Sequence, residues 1–348
     1  KDQSTFLVGL LRAMDIKADV ALINAGGAYA TSERHAGLDA FNHVIVHVPG
    51  PKDYWIDPTA HFYRIGELPL HLHGHFALIA NEETTQLVRT PLAPSSDNLY
   101  REHLELVFSH GGLCRVARRT ESVGAIASQL RQIQAQFNDG ESARQAENQR
   151  VSRDYPGGKL EEFEASDPYD LEAPFTIKTV VSNVVMGAMS RGELSLPIAS
   201  DGVFRQLPLF LQYAVSPEAT VGVFAKRELP VFLYNRHVFE TEMRVVPPGG
   251  YSIKTLPEGR SFQYGSLRFH QTFTRNDDHS ITVVNRVDTG EGRFTADESE
   301  QLRAKIVGMR ATVAQDNIER LVFAHDGYAL LNEGKIREGF AVFQQAIK

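Results

Sequence analysis

Cysteine is almost missing from this sequence: Cys114 is the single one in 348 residues. A lone cysteine excludes an intrachain disulfide and any cysteine-rich zinc ribbon, and it is compatible with either redox compartment. Long apolar runs are also lacking. No stretch approaches the roughly 18 uninterrupted apolar residues of a membrane-spanning helix, and no signal peptide is visible. Strong charge of one sign is absent too. The net charge of −7, with 36 basic and 43 acidic residues interspersed, gives no basic face for nucleic acid or an anionic membrane. What is present is 42% hydrophobic content over a length suited to about two domains, enough for real cores.

From Lys1 to about Ala18, the residues Phe6, Leu7, Leu10, Leu11 and Met14 recur at helical spacing and predict a helix with one buried stripe. The run ADVALINA predicts a short strand, and the glycine- and serine-bearing GGAYATSERHAGLDA a loop. NHVIVHV and KDYWIDPT read as two adjacent strands joined by PGPKD, whose proline and glycine supply turn chemistry. The apolar run FALIA at 76–80 closes this segment, and the linker-like TPLAPSSDN puts a domain boundary near residue 95.

Beyond it, YREHLELVF, LCRVARRTE and a long polar helical stretch from about Gly124 to Arg153 alternate with the strands FTIKTVVSNVV, ATVGVFA and GSLRFHQTFTR. Period-two alternation with turn signals predicts a mainly antiparallel β domain over 96–294. From Thr295 onward the pattern is helical to the end, a tail over 295–348. Its last part carries Gly327, Gly334, Gly339, Phe343 and Ala346 at the offsets of a helix-turn-helix unit, a spacing that resembles a tetratricopeptide repeat. One such unit cannot bury its own face, and these solenoids need about three, so the natural protein is expected to continue past Lys348. The alternative is an isolated helical hairpin docked on the β domain.

The residues that carry chemistry are His43 in FNHVIV and Asp57 in YWIDPT, on either side of the expected hairpin. An aspartate that accepts the Nδ1 proton of a histidine fixes its tautomer, and the histidine can then pair with a thiolate. The sulfur of such a site is often placed at a helix N-terminus, where the macrodipole and unpaired N–H groups stabilise the thiolate. The helix at Lys1 offers that terminus. Asn42 is a weaker candidate, an oxyanion donor whose strand facing is opposite to that of His43. Trp55 either flanks the site or packs in the core. Cys114, in GGLCRVARR, has basic neighbours that could activate it but a strand-like context that favours a structural thiol. His71, His73 and His75 in PLHLHGHF would share one face if their strand were continuous, and could then ligate zinc or copper. Gly74 threatens that continuity, so surface or core histidines are expected and no metal is assigned.

The order KD-x-S-x-x-x-x-x-LL-R-x-M-x-I-x-A, then FNHVIV, then YWIDPT resembles the transglutaminase-like superfamily, most closely its bacterial branch with flanking β-rich domains and sometimes tetratricopeptide repeats. The resemblance is strongest over residues 1 to about 80. It implies an α+β fold: a partial papain-like core over 1–95, then the β domain, then the helical tail. In that branch the helix opens with a Gly-Asp-Cys-Lys-Asp type motif, so Lys1 and Asp2 would be its last two residues and the cysteine would stand just before Lys1. His43 carries over as general base and acid, and Asp57 as the residue that orients it. The implied activity is a thiol peptidase, an amidase or an acyltransferase acting on a protein or peptide substrate, with no cofactor. The chain as given is then expected to be inert. A bacterial, extracytoplasmic location is implied by the resemblance alone. The competing reading is a noncatalytic envelope or assembly module that recruits a protein partner through its helical tail.

Overall fold

Alternating apolar residues and closely spaced turn signals make sheets along most of this chain. The computed structural model describes residues 1–25, 37–137, 139–198, 201–205, 207–233, 235–314 and 319–346, with the side chains of 201, 311–314, 345 and 346 outside the description. Most of the expected loop after the first strand lies outside the described residues. Helices and many antiparallel strands place the chain in the mixed α+β class.

Helix α1 (Asp2–Ala13) precedes β1 (Asp19–Ile23), β2 (His43–Val48), β3 (Tyr54–Ile56), β4 (Phe76–Ile79) and β5 (Val88–Arg89). These strands form one antiparallel sheet in the order β3-β2-β1-β4-β5. Successive side chains on β1 and β2 serve opposite faces. Ala21, Ile23 and Ile45 join Trp55, Leu68, Leu72 and Ala77 in one core, while Val20, Val46 and Val48 meet Leu7, Val8 and Leu11 of α1 on the other side.

The apolar stripe expected on α1 is corrected by this packing. Ser4 and Val8 are buried and Leu7 and Leu11 partly so, whereas Phe6, Leu10 and Met14 are exposed. Two overlapping sets of apolar residues sit at helical spacing on this segment, and contact with the sheet selects the set that contains Val8. Trp55 is likewise a core residue, buried, with its ring 4.7 Å from that of His47 at a tilt of 43°.

Next come β6 (Leu99–Phe108), β7 (Cys114–Ser122), α2 (Gly124–Gln134), α3 (Gly140–Asp154), β8 (Lys159–Ala165), β9 (Phe175–Val184), β10 (Ala188–Ser190) and β11 (Glu193–Pro197). They are followed by β12 (Val231–Phe232), β13 (Val238–Val246), β14 (Tyr251–Thr255), β15 (Arg260–Tyr264), β16 (Leu267–Arg275), β17 (Ile281–Asp288) and β18 (Arg293–Phe294). An eight-stranded sheet runs β15-β16-β17-β13-β6-β7-β9-β8, antiparallel except where β13 lies parallel to β6. The polar stretch expected from Gly124 to Arg153 is two helices, the second started by Asp139, which exchanges capping hydrogen bonds with Ser142.

The expected strand ATVGVFA is not one. Arg303, 1% exposed, turns its guanidinium onto the carbonyl oxygens of Tyr213, Ala214, Val223 and Ala225. Carbonyls bound to an arginine fork are not available to a ladder, so the segment stays irregular. Arg303 belongs to α4 (Ala296–Ala314), whose Leu302, Ile306 and Met309 pack with Phe204, Phe210, Phe269 and Phe294.

The helical pattern expected to run unbroken from Thr295 is interrupted by β19 (Arg320–His325), which sits between β11 and β14 in a four-stranded sheet. Its inward residues Leu321 and Phe323 are fully buried, and that burial decides for a strand. The last two helices, α5 (Asp326–Asn332) and α6 (Ile336–Ala346), cross at two glycines. A Cβ on Gly327 would lie 2.7 Å from the Phe343 ring, and one on Gly339 would lie 2.8 Å from the Gly327 carbonyl oxygen. Gly334, at φ +80°, makes the turn between them in a conformation other residues rarely adopt.

Candidate active site

The β2–β3 hairpin sets Val46 opposite Ile56, His47 opposite Trp55 and Val48 opposite Tyr54. Continued past β3, this register puts Asp57 level with Ile45, so that His43 is its diagonal neighbour on the same face, within reach of a longer side chain. His43 Nε2 lies 2.9 Å from Asp57 Oδ2. The aspartate is nearly sealed, its side chain 4% exposed, while the imidazole is 24% exposed. The pairing uses Nε2 and not Nδ1, which corrects the sequence expectation and leaves Nδ1 as the ring nitrogen turned from Asp57.

Asp57 is held on its other oxygen. The Thr59 backbone N–H donates to Oδ1 at 3.0 Å, and the Thr59 hydroxyl donates to the same atom at 2.7 Å. This turn, in which an aspartate accepts from a threonine two residues on, was written in D-P-T but not singled out from the sequence. A buried carboxylate with this many donors is fixed in one rotamer. The Ser4 hydroxyl donates to the Val44 carbonyl at 2.7 Å and is itself fully buried. That bond ties the first turn of α1 to the His43 end of β2, a link no sequence pattern signalled.

The surroundings are polar and half-buried. Tyr63, pushed up to about 12 by burial first and then by the carboxylates of Glu67 and Asp57, is a neutral phenol beside the pair. His71 is driven below its ordinary pKa by partial burial, against the opposing field of Asp57. Arg64, on the same loop as Asp57, donates from Nε to the Leu171 carbonyl at 2.5 Å and from Nη2 to that of Glu172 at 2.9 Å. Arg131 of α2 takes the flanking carbonyls of Asp170 at 2.8 Å and Ala173 at 2.5 Å. Two arginines thus grip four consecutive backbone oxygens: Arg64 ties the Asp57 loop, and Arg131 ties α2, to the segment entering β9. Neither arginine is distinguishable from a surface charge in the sequence.

The remaining candidates have other partners. Asn42 spends its side-chain oxygen on the Ala25 N–H at 2.7 Å, which anchors the residues directly after β1. The three histidines do not share a strand face, because residues 70–72 form a short 3-10 turn and Gly74 has φ +68°. His73 Nε2 bonds the Leu68 carbonyl, and His75 Nδ1 bonds that of Asn24. Among the described residues, no group of three or more His, Cys, Asp or Glu side chains could hold a metal ion. Cys114 lies in the core under the large sheet with its thiol pushed up to about 12 by burial, while Arg115 and Arg118 turn to Glu161 and Glu102. It is a protonated structural thiol.

No family model and no curated protein matches the chain. A solved structure described as a "putative protease" from Parabacteroides distasonis aligns with 92% of this chain at 14% identity and a TM-score of 0.44. The chain spans 43% of the length of that protein. A likeness this distant establishes neither the fold nor the activity. No helix among the described residues is long and apolar enough to cross a membrane.

Proposed function

We propose that His43 and Asp57 are the base and its orienting carboxylate in a Cys-His-Asp site of transglutaminase-like type, in a thiol enzyme that acts on amide bonds. The observation that carries this reading is the 2.9 Å contact between His43 and a nearly sealed Asp57 that Thr59 holds on its second oxygen. With the Nε2–H donating a hydrogen bond to Asp57, Nδ1 presents a lone pair to a thiol. The thiolate then attacks an amide carbonyl, the imidazolium returns its proton to the departing amine, and an acyl-enzyme remains for water or a second amine to resolve. Water gives a peptidase or amidase, and hydrolysis is the favoured outcome.

The nucleophile in this reading is a cysteine immediately before Lys1, at the start of α1, where the helix dipole would favour the thiolate. The Ser4 bond to Val44 supports it by holding that end of the helix beside His43. The reading divides the chain at about 95 and 294 into a partial papain-like core, a β-rich domain and a tail resembling a tetratricopeptide repeat that recruits a protein partner. The 348 residues alone are inert in this scheme, because histidine and aspartate cannot form the acyl intermediate.

The test is alkylation of the longer natural protein by iodoacetamide, with His43→Ala as control. Rapid labelling of one cysteine just before Lys1, slowed by the substitution, supports the thiol enzyme. Absence of cysteine there, or labelling indifferent to His43, transfers the assignment to a noncatalytic module. Once a substrate is found, His43→Ala is expected to lower turnover by about 10²–10⁴-fold.

A further inference from the structure

A cavity of 420 Å³ opens between the first sheet and α2, and neither His43 nor Asp57 lines it. Its walls carry Lys52, Glu67, His73 and Asp97 around an apolar floor that includes Leu68 and Leu92. This volume falls within the usual range for small-ligand sites, about 300–1,000 Å³. The distribution of donors and acceptors on its walls is uneven. His73 is 5% exposed, and its Nε2 lies 2.9 Å from the Leu68 carbonyl oxygen. A carbonyl only accepts, so Nε2 carries the proton and Nδ1 is a bare lone pair.

No hydrogen-bond partner meets that buried Nδ1 among the described residues. Leaving such an acceptor unmet costs about 1–3 kcal/mol. Two carboxylates stand on the same walls, Asp97 and Glu67, the latter with one oxygen accepting from the Arg64 backbone N–H at 3.4 Å. The Arg64 guanidinium, also in the lining, has its Nε and one terminal nitrogen committed to the carbonyls of Leu171 and Glu172. Lys52 adds a flexible cation to the walls, its ammonium 6.0 Å from the centre of the Tyr54 ring. Unmet acceptors and a mobile cation within one cavity are complementary to a molecule that bears an ammonium group and a carboxylate.

We propose that this cavity binds an amino acid or short peptide, its ammonium directed to His73, Glu67 and Asp97 and its carboxylate to Lys52. The site is separate from the His43–Asp57 pair and does not depend on catalysis there. Calorimetric titration of the 348-residue chain with alanyl-alanine, its N-acetyl derivative and its C-terminal amide tests it. The dipeptide is expected to bind saturably, and N-acetylation to weaken binding by at least about tenfold, a loss of 1.4 kcal/mol. Asp97→Asn, a change at an exposed position, should weaken the dipeptide similarly without altering thermal unfolding, and Lys52→Met should weaken the dipeptide but not its amide. His43→Ala should leave binding unchanged. Absence of saturable binding, equal binding of the acetylated dipeptide, or indifference to both Asp97→Asn and Lys52→Met overturns the proposal. Loss of binding in His43→Ala also overturns it, by placing the ligand at the other site.

Discussion

Nε2 of His43 stands 2.9 Å from Oδ2 of Asp57, a diagonal contact across a hairpin and not one between directly opposed residues. The contact requires the ring to carry its proton on Nε2 whenever it is neutral. Long-range ¹H–¹⁵N spectra of the imidazole should show that tautomer, with an Nε2 proton protected from exchange. Asp57→Ala should mix the tautomers and remove the protection, whereas Thr59→Val, which deletes one of two donors to Oδ1, should cost only about 1 kcal/mol. A single protected tautomer persisting in Asp57→Ala would rule out the orienting role.

The grip of Arg64 and Arg131 on residues 170–173 gives a second expectation. Removing Arg131 leaves the Asp170 and Ala173 carbonyls without a charged donor, at about 1.5–3 kcal/mol for each bond lost before relaxation. Arg131 is also 3% exposed, and truncation leaves a void beside Phe175. Urea unfolding of Arg131→Ala should therefore show a loss of at least about 3 kcal/mol, with a smaller loss for the more exposed Arg64→Ala. Equal and negligible effects in both variants would mean that the loop carrying Asp57 is held by other contacts.

Arg303 organises 213–225 by hydrogen bonds to its carbonyls, since that segment has no ladder. Arg303→Met keeps much of the volume but removes the donors to four carbonyl groups, that of Ala225 in a buried bond. We expect a destabilisation of about 3–5 kcal/mol, together with accelerated amide exchange across 213–225 that exceeds the change in β16 or β17. Uniform acceleration through the whole sheet would indicate a global loss and not a local anchor.

His325 links the terminal hairpin to pH. Its ring stacks 4.4 Å from Phe343, and its Nδ1 accepts the Gly327 N–H that begins α5, so it must be neutral. Burial lowers its pKa from 6.5 and His110 adds to that, while neighbouring Asp326 opposes it. A lowered value in a base means that the folded hairpin disfavours the proton. Stability is therefore full above the unfolded value of 6.5 and falls as pH drops below it. Between pH 7.5 and 5, amides of α5 and α6 should lose exchange protection, and His325→Gln should flatten that local dependence even though buried His73 and His237 titrate in the same direction. A hairpin with unchanged protection at pH 5 would show that the stacking survives protonation.

Several features were readable before any coordinates. The hairpin of NHVIVHV and KDYWIDPT follows from two β-rich runs around a Pro-Gly turn, and a fixed register then brings His43 to Asp57 without tertiary information. The crossing of α5 and α6 was marked by Gly327 and Gly339, because only glycine allows a backbone approach this close. The helical pattern of α1 was legible too, but its buried side was not, since periodicity is blind to which of two apolar sets meets the sheet.

What the sequence determined by itself is local: element type where the period is clean, turn chemistry, and the pairing of neighbours a hairpin apart. Long-range placement came only from the tertiary structure. Arg303 overrode the strand pattern of 219–225 by taking its carbonyls, burial between β11 and β14 made a strand of Arg320–His325, and the 3-10 turn at Leu70–Leu72 separated three histidines that a continuous strand would have aligned. The reason is common to all three. Each outcome depends on which distant group satisfies a backbone or side-chain hydrogen bond, or fills a core, and spacing along one segment carries no information about that partner.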